Sequence, residues 1–188
     1  MKKVVVLLAA VLCAFPAFAG DKGILKLSLW DDIAVALPNN TQTVRGVNLG
    51  IGAKTDSIYG WHANLILGEV DELRGINTAL GVAKVSEGYG INEAWIYARS
   101  NEFYGIQGAI VDINDSHFGG AQFGVVNFAN GKLIGAQLGI YNQVEDLHGA
   151  QIGIVNNARH ISKGLQIGIV NIAKNGWFPV MVLVNGRF

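Results

Sequence analysis

Histidine is the residue type in this chain that most directly invites a search for metal or acid–base chemistry. The four histidines are His62, His117, His148 and His160. No two of them stand at metal-ligand spacing, and the last three lie in or beside polar segments that are typical of turns. His62 instead shares the inner face of a predicted strand with Gly60 and Asn64. We therefore expect solvated side chains at the three later positions. For His62 the alternatives are a place in a polar lumen and, as the favoured one, a hydrogen-bonded position within the strand.

Three further motifs each lack a residue that their chemistry needs. The run from Asp112 to Ser116 is similar to the start of a calcium loop, but no Gly and no distal Glu follow at the required offsets. Gly88-Tyr89-Gly90 continues to Glu93 where a dinucleotide fingerprint needs glycine. The chain also has no Gly-x-Ser-x-Gly elbow. With no convergent acid, base or nucleophile, the sequence predicts no enzyme, no metal site and no cofactor.

One carboxylate stands on an otherwise apolar strand face. Glu93 alternates with apolar neighbours and lies beside Trp95. An ionised side chain is costly in hydrocarbon, so the sequence places Glu93 near a membrane interface or at a contact with another protein.

A row of polar side chains recurs at the third position of a repeated unit and is the main candidate for a functional feature. Its members are Asn48, His62, Asn77, Asn92, Gln107, Gln122, Gln137, Gln151 and Gln166. In a functional interpretation they form a neutral polar lining for a narrow pore or pocket. In a structural interpretation neighbouring amides hydrogen-bond to one another and stiffen the sheet, and the flanking glycines favour this second interpretation.

The elements that position this row come from an internal repeat. The units open at Gly46, Gly60, Gly75, Gly90, Gly105, Gly120, Gly135, Gly149 and Gly164, which gives nine units of 14 or 15 residues. The last four units are near-copies of one another.

Alternation within a unit indicates a strand of roughly nine or ten residues. In the Gly149 unit, Ala150, Ile152 and Ile154 share one face, whereas Gly149, Gln151 and Gly153 share the other. Polar segments such as 114–117, 143–146 and 157–160 are expected to be turns. We expect Ile152→Asp to impair assembly and Gln151→Ser to be milder.

Two architectures can satisfy strands that have one apolar face. In an all-β, antiparallel up-and-down barrel of the outer-membrane type, the apolar face meets lipid and the Gly/Gln face lines the interior. With strands from 24–37 and 180–188 added to the nine units, this barrel has about twelve strands. In a β-solenoid with 14–15-residue rungs, the apolar face fills the core and the repeated asparagines stack as a ladder. These asparagines are Asn127, Asn142, Asn156 and Asn171.

Composition limits the setting of this domain. Residues 1–19 have a basic start, an apolar run and the small-x-small end Ala17-Phe18-Ala19, which predicts a secretory signal peptide followed by a single β domain over 20–188. Cys13, the one cysteine, falls in that peptide, so the mature chain has no disulfide. Without Lys2 and Lys3 the chain has 12 basic and 14 acidic residues, a formal charge of −2, and no basic patch for nucleic acid.

The last two repeats and both ends of the mature chain carry a family likeness. The repeats that begin Gly149-Ala150-Gln151-Ile152-Gly153 and Gly164-Leu165-Gln166-Ile167-Gly168, with Leu27-Ser28-Leu29-Trp30 and the ending 178–188, resemble surface-repeat proteins of Gram-negative bacteria. The resemblance implies an exported, outer-membrane location and no established reaction. The terminal Phe188 is similar to the assembly signal of outer-membrane barrels, which makes outer-membrane lipid and the barrel-assembly machinery the expected partners.

Together these features predict a non-enzymatic outer-membrane barrel with a structural or small-solute passage role. The alternative is a β-solenoid in the periplasm or on the cell surface that acts as an adhesion or interaction module. The sequence does not identify a small-molecule ligand.

Overall fold

A computed structural model describes residues 22–31 and 42–188 and, by its backbone alone, the range 33–37. Within these ranges the protein is all-β, and six strands form one mixed sheet in the order β2-β1-β3-β4-β5-β6. The strands are β1 (Lys22–Asp31), β2 (Ile33–Leu37), β3 (Thr43–Ala79), β4 (Val82–Ala94), β5 (Tyr97–Ala173) and β6 (Val180–Arg187). The predicted signal peptide, with Cys13, lies outside the described residues.

Successive repeat units lie one on another as parallel rungs. β3 and β4 pair in parallel with Leu67 opposite Val82, and β4 and β5 pair in parallel with Val82 opposite Tyr97. Both offsets equal one repeat. The same stacking continues within β5, which runs for 77 residues without a break. Hydrogen bonds between side chains one repeat apart indicate the stacking there. We call each unit a rung, numbered one to nine from the Gly46 unit.

The opening glycine of each rung is required by the close approach of the rung before it. Gly135 has a φ of +141°, a conformation that disfavours a side chain. A Cβ on Gly135 would also overlap the carbonyl oxygen of Gly120. The same close approach recurs at the opening glycines of the other rungs. These glycines therefore set the distance between neighbouring rungs.

Antiparallel strands stand at both ends of the parallel stack. β1 pairs in parallel with the first rung and antiparallel with β2, and β6 pairs antiparallel with the last rung. Residues 24–37, for which the sequence left one bent strand or two short ones open, lie in the two strands β1 and β2, and the expected closing strand is β6. These end strands take up backbone groups that a parallel stack would otherwise leave unpaired.

The interior has an apolar part and an amide part. The apolar part is a column of large side chains from the end of successive units: Leu73, Phe103, Phe118, Leu133, Leu147 and Ile161, all buried. Phe103 and Phe118 stack with ring centroids 6.1 Å apart. The amide part is the candidate polar row.

The expectation of an all-β chain is confirmed, but the expected antiparallel up-and-down pairing and the count of about twelve strands are not observed in the described residues. The rungs pair in parallel because only that arrangement brings each opening glycine and each amide against its counterpart one repeat away. The segments 114–117, 143–146 and 157–160, expected to be turns, lie inside β5. The expectation of turns is therefore wrong for these segments, because the strand continues through them.

Candidate functional site

The polar row predicted from the third position of each unit is a continuous internal column. All nine of its side chains, from Asn48 to Gln166, have no exposed surface. The register adds Lys26 of β1 beside Asn48 at one end and Asn185 of β6 beside Gln166 at the other. The structure therefore brings all nine predicted residues together, but it closes them off from solvent.

Glutamine side chains in the last rungs form a hydrogen-bonded ladder. Gln137 Nε2 donates to Gln122 Oε1 at 2.8 Å, and Gln151 Nε2 donates to Gln137 Oε1 at 2.7 Å. Gln166 extends the ladder with a bond of 2.8 Å to Gln151. Each of these donors also reaches a backbone carbonyl. Only the two ends of the ladder, Gln122 Nε2 and Gln166 Oε1, lack a partner among the described residues. A chain of amides that satisfy one another in this way stabilises a buried polar column.

A second ladder, formed by the asparagines at the eighth position, runs beside the first. Asn127 donates to Asn142 at 2.8 Å, Asn142 to Asn156 at 2.9 Å and Asn156 to Asn171 at 2.8 Å. The glycines at the fifth position make room for it, since a Cβ on Gly153 would lie 2.6 Å from Asn142 Nδ2. The asparagines donate towards the C-terminal end and the glutamines towards the N-terminal end, so the dipoles of the two ladders oppose each other.

The buried polar side chains of the second rung are poorly satisfied. Neither ring nitrogen of His62 has a hydrogen-bond partner in the described part of the chain, and neither does the side-chain amide of Asn64. Burial, together with the charge of Lys26, lowers the pKa of His62 to about 3, so the ring is neutral near pH 7. Lys26 itself is held by the carbonyl of Lys54 and the hydroxyl of Thr55.

Asp112 interrupts the asparagine ladder at its N-terminal end. It stands one repeat before Asn127 and is fully buried. Burial raises the pKa of Asp112 to about 8, although hydrogen bonds from the backbone of Ala109 and the side chain of Gln107 oppose the rise. The neutral carboxyl group can therefore donate a proton near pH 7. Asn127 Oδ1 has no donor among the described residues, and both Asn127 Oδ1 and Asp112 Oδ2 face the space beside Gly124.

The remaining predicted residues lie on the surface. His117, His148 and His160 are exposed. Phe188 is 76% exposed, and its ring lies 6.1 Å from that of Trp177. In the part of the chain that the structure describes, no three His, Asp or Glu side chains form a group that could hold a metal ion.

The largest surface feature is formed by the apolar side chains that the solenoid alternative placed in the core. Side chains at the second, fourth and sixth positions of the rungs point outward, and we call this surface the apolar face. Its members include Leu65, Ile110, Phe123, Ile140, Ile154 and Ile169, each at least 42% exposed. At about 4.8 Å per rung the nine rungs make it roughly 40 Å long. The apolar residues thus face outward and the amides inward. This is the orientation that we expected for the two strand faces in a barrel.

Charged side chains are confined to another part of the rung. Within the nine units, all but Glu93 and Asp112 lie at the ninth position or later, and we call that surface the polar edge. Its ion pairs include Arg99 with Asp115 at 2.6 Å and Arg159 with Glu145 at 3.0 Å. The stack is therefore amphipathic along its whole length. The 15-residue period already placed Asp112 in the asparagine column, so sequence reasoning could have found it there.

Comparison with protein-family models, curated proteins and solved structures found no match to this chain. Among the described residues, no helix is long and apolar enough to cross a membrane.

Proposed function

We propose that this protein is an exported, non-enzymatic β-solenoid that attaches to outer-membrane lipid through its apolar face. The observation that carries the proposal is the orientation of the two faces of each rung. Amides fill the interior, and aliphatic side chains cover an outer surface. An exposed apolar surface of several hundred Å² on a folded protein marks an interaction site. Confinement of charge to the polar edge leaves that surface free to enter an apolar environment while the edge stays in water.

Lipid is the favoured partner because the apolar face is almost uniform. The last rungs repeat the same aliphatic side chains, such as Ile152 and Ile154 followed by Ile167 and Ile169. A surface that repeats in this way specifies no register for a protein partner, whereas fluid acyl chains need none. The predicted signal peptide and the resemblance to surface-repeat proteins support the outer-membrane location.

We do not propose a passage for solutes through the interior. The nine residues expected to line it have no exposed surface, so in the described part of the chain their side chains fill the column instead of lining an open space. Their ladders stabilise the stack, and the outer surface contacts the lipid.

Flotation of the mature protein with phospholipid vesicles tests the proposal. We expect the wild type to float, and Ile152→Asp to lower the bound fraction about tenfold, because it removes apolar contact and adds a charge. The control is His148→Asp, which adds an acidic residue at an exposed position near the polar edge. Circular dichroism of both variants establishes that they fold. A wild type that stays at the bottom of the gradient refutes lipid attachment.

A further inference from the structure

Glu93 is the only charged residue on the apolar face. It occupies the fourth position of its rung, paired with Thr78 in the rung before and with Gly108 in the rung after. Its side chain is exposed, and it makes no hydrogen bond or ion pair with the described residues. A carboxylate without a partner is unfavourable on a surface that hydrocarbon covers, so its place there needs a compensating cation.

Gly108 leaves a notch beside this carboxylate. A Cβ on Gly108 would lie 3.7 Å from the carbonyl oxygen of Phe123 and 3.9 Å from Cγ of Glu93, both ordinary contact distances. The backbone therefore does not require glycine here, in contrast to Gly105 with its φ of +145°. Other rungs place a side chain at this position. Its absence leaves a space of about two rung spacings, or roughly 9.6 Å, between the Glu93 and Phe123 positions.

The lining of the notch suits an ammonium group. Glu93 supplies a negative charge on one side and Phe123 an aromatic ring on the other. Trp95, in the same rung as Glu93, is 71% exposed and adds a second aromatic surface. Carboxylates attract ammonium groups by charge, and aromatic faces attract them through the ring quadrupole, with Trp the most effective. An anionic group would be repelled from the same place.

We propose that Glu93, Gly108 and Phe123 form a subsite for the cationic headgroup of a zwitterionic lipid, with Trp95 beside it. The inference rests on the lipid attachment proposed above and names the headgroup that the face selects. The acyl chains of the same lipid layer would meet the aliphatic side chains of neighbouring rungs.

A second copy of the chain fits this surface less well. The second, fourth and sixth positions of the nine rungs carry no Lys or Arg. Two copies packed face to face would therefore bury Glu93 without a cation, and an unpaired buried carboxylate is strongly unfavourable. A zwitterionic lipid brings its own ammonium group.

The test compares flotation on phosphatidylcholine–phosphatidylethanolamine vesicles with flotation on phosphatidylglycerol vesicles, whose headgroup has no cation. We expect the wild type to bind the zwitterionic vesicles about fivefold more tightly, the factor that a partly exposed ion pair provides. Glu93→Gln should abolish the preference. Glu102→Gln on the polar edge is the matched control, because it removes the same charge from an exposed glutamate and should keep the preference. Gly108→Ile, which fills the notch and leaves Glu93 in place, should also abolish it.

The outcomes separate the subsite from the attachment. If the wild type floats but Glu93→Gln keeps the preference, or if the wild type shows none, the subsite is wrong and lipid attachment stands. If the wild type floats on neither kind of vesicle, the proposed function falls and the subsite with it. Unfolding midpoints of the variants show whether each is folded when its binding is measured.

Discussion

The interior of the last four rungs and the interior of the second rung share a backbone arrangement, but their buried polar side chains differ in hydrogen bonding. In the last rungs, Gln137 and Gln151 each donate to the amide before them, and a parallel row of asparagines does the same in the other direction. In the second rung, His62 occupies the third position and Asn64 the fifth, and none of their side-chain nitrogen or oxygen atoms has a partner among the described residues.

The difference teaches that the stack and the ladders are separable. The backbone needs only small residues where rungs approach closely, and the opening glycines supply these in both regions. The ladders need one amide type at one height in consecutive rungs, because an amide both donates and accepts. A histidine between Asn48 and Asn77 breaks that chain. Stability should therefore respond in opposite directions when the same column is made apolar at its two ends.

The largest effect is expected for Gln137→Leu, which removes the middle of the glutamine ladder. Gln122 Oε1 loses its donor and Gln151 Nε2 loses its acceptor, and both are buried. At about 1–3 kcal/mol for each unsatisfied group, the free energy of unfolding should fall by roughly 3 kcal/mol. Urea denaturation measures the change. A loss below 1 kcal/mol would mean that the ladder is not a source of stability.

The next effect is expected for Asp112→Asn, which extends the asparagine ladder by one member. The native pKa of about 8 lies above the ordinary carboxyl value of 3.8, so between these pH values the folded protein holds a proton that the unfolded chain releases. The Asp112 contribution is therefore fully present below about pH 4 and is lost as the pH rises to about 8. Asp112→Asn should remove this slope and stabilise the protein by about 2 kcal/mol at pH 9.

Urea denaturation of both proteins at pH 5, 7 and 9 measures this effect. The gain from Asp112→Asn should grow from pH 5 to pH 9. An equal difference at all three values would show that Asp112 does not exchange its proton in this range.

The sequence alone defined the period, the strands and the two faces of each unit, because alternation and repeat length are local properties. It did not define the direction of pairing. Gly149-Ala150-Gln151-Ile152-Gly153 is nearly symmetrical about Gln151, so it suits a parallel neighbour as well as an antiparallel one. The asparagines at the eighth position were the better signal, since their ladder needs rungs that run in one direction.

The sequence predicted which residues form the polar column, but it did not predict that they are closed off from solvent. The nine residues from Asn48 to Gln166 do form one column, as their shared position required. Whether they line a space or fill it depends on how closely the rungs pack, which the periodicity does not contain. The expected order of two substitutions also changes: Ile152 is 42% exposed whereas Gln151 is fully buried in the ladder. Gln151→Ser should now be the more damaging to folding.

The smallest effect at neutral pH is expected for His62→Leu, and its sign completes the comparison. The substitution removes two buried ring nitrogens that lack partners, so the free energy of unfolding should rise by about 1 kcal/mol at pH 7. The His62 pKa of about 3 lies below the ordinary histidine value of 6.5, so the unfolded chain takes up a proton that the native state excludes. Wild-type stability should therefore decrease as the pH falls from about 6.5 towards 3, and the variant should lack this part of the decrease. Urea denaturation at pH 7 and pH 4.5 measures both effects. A variant that is less stable than the wild type at pH 7 would mean that His62 has partners in solution, and that the two interiors differ less than their side chains indicate.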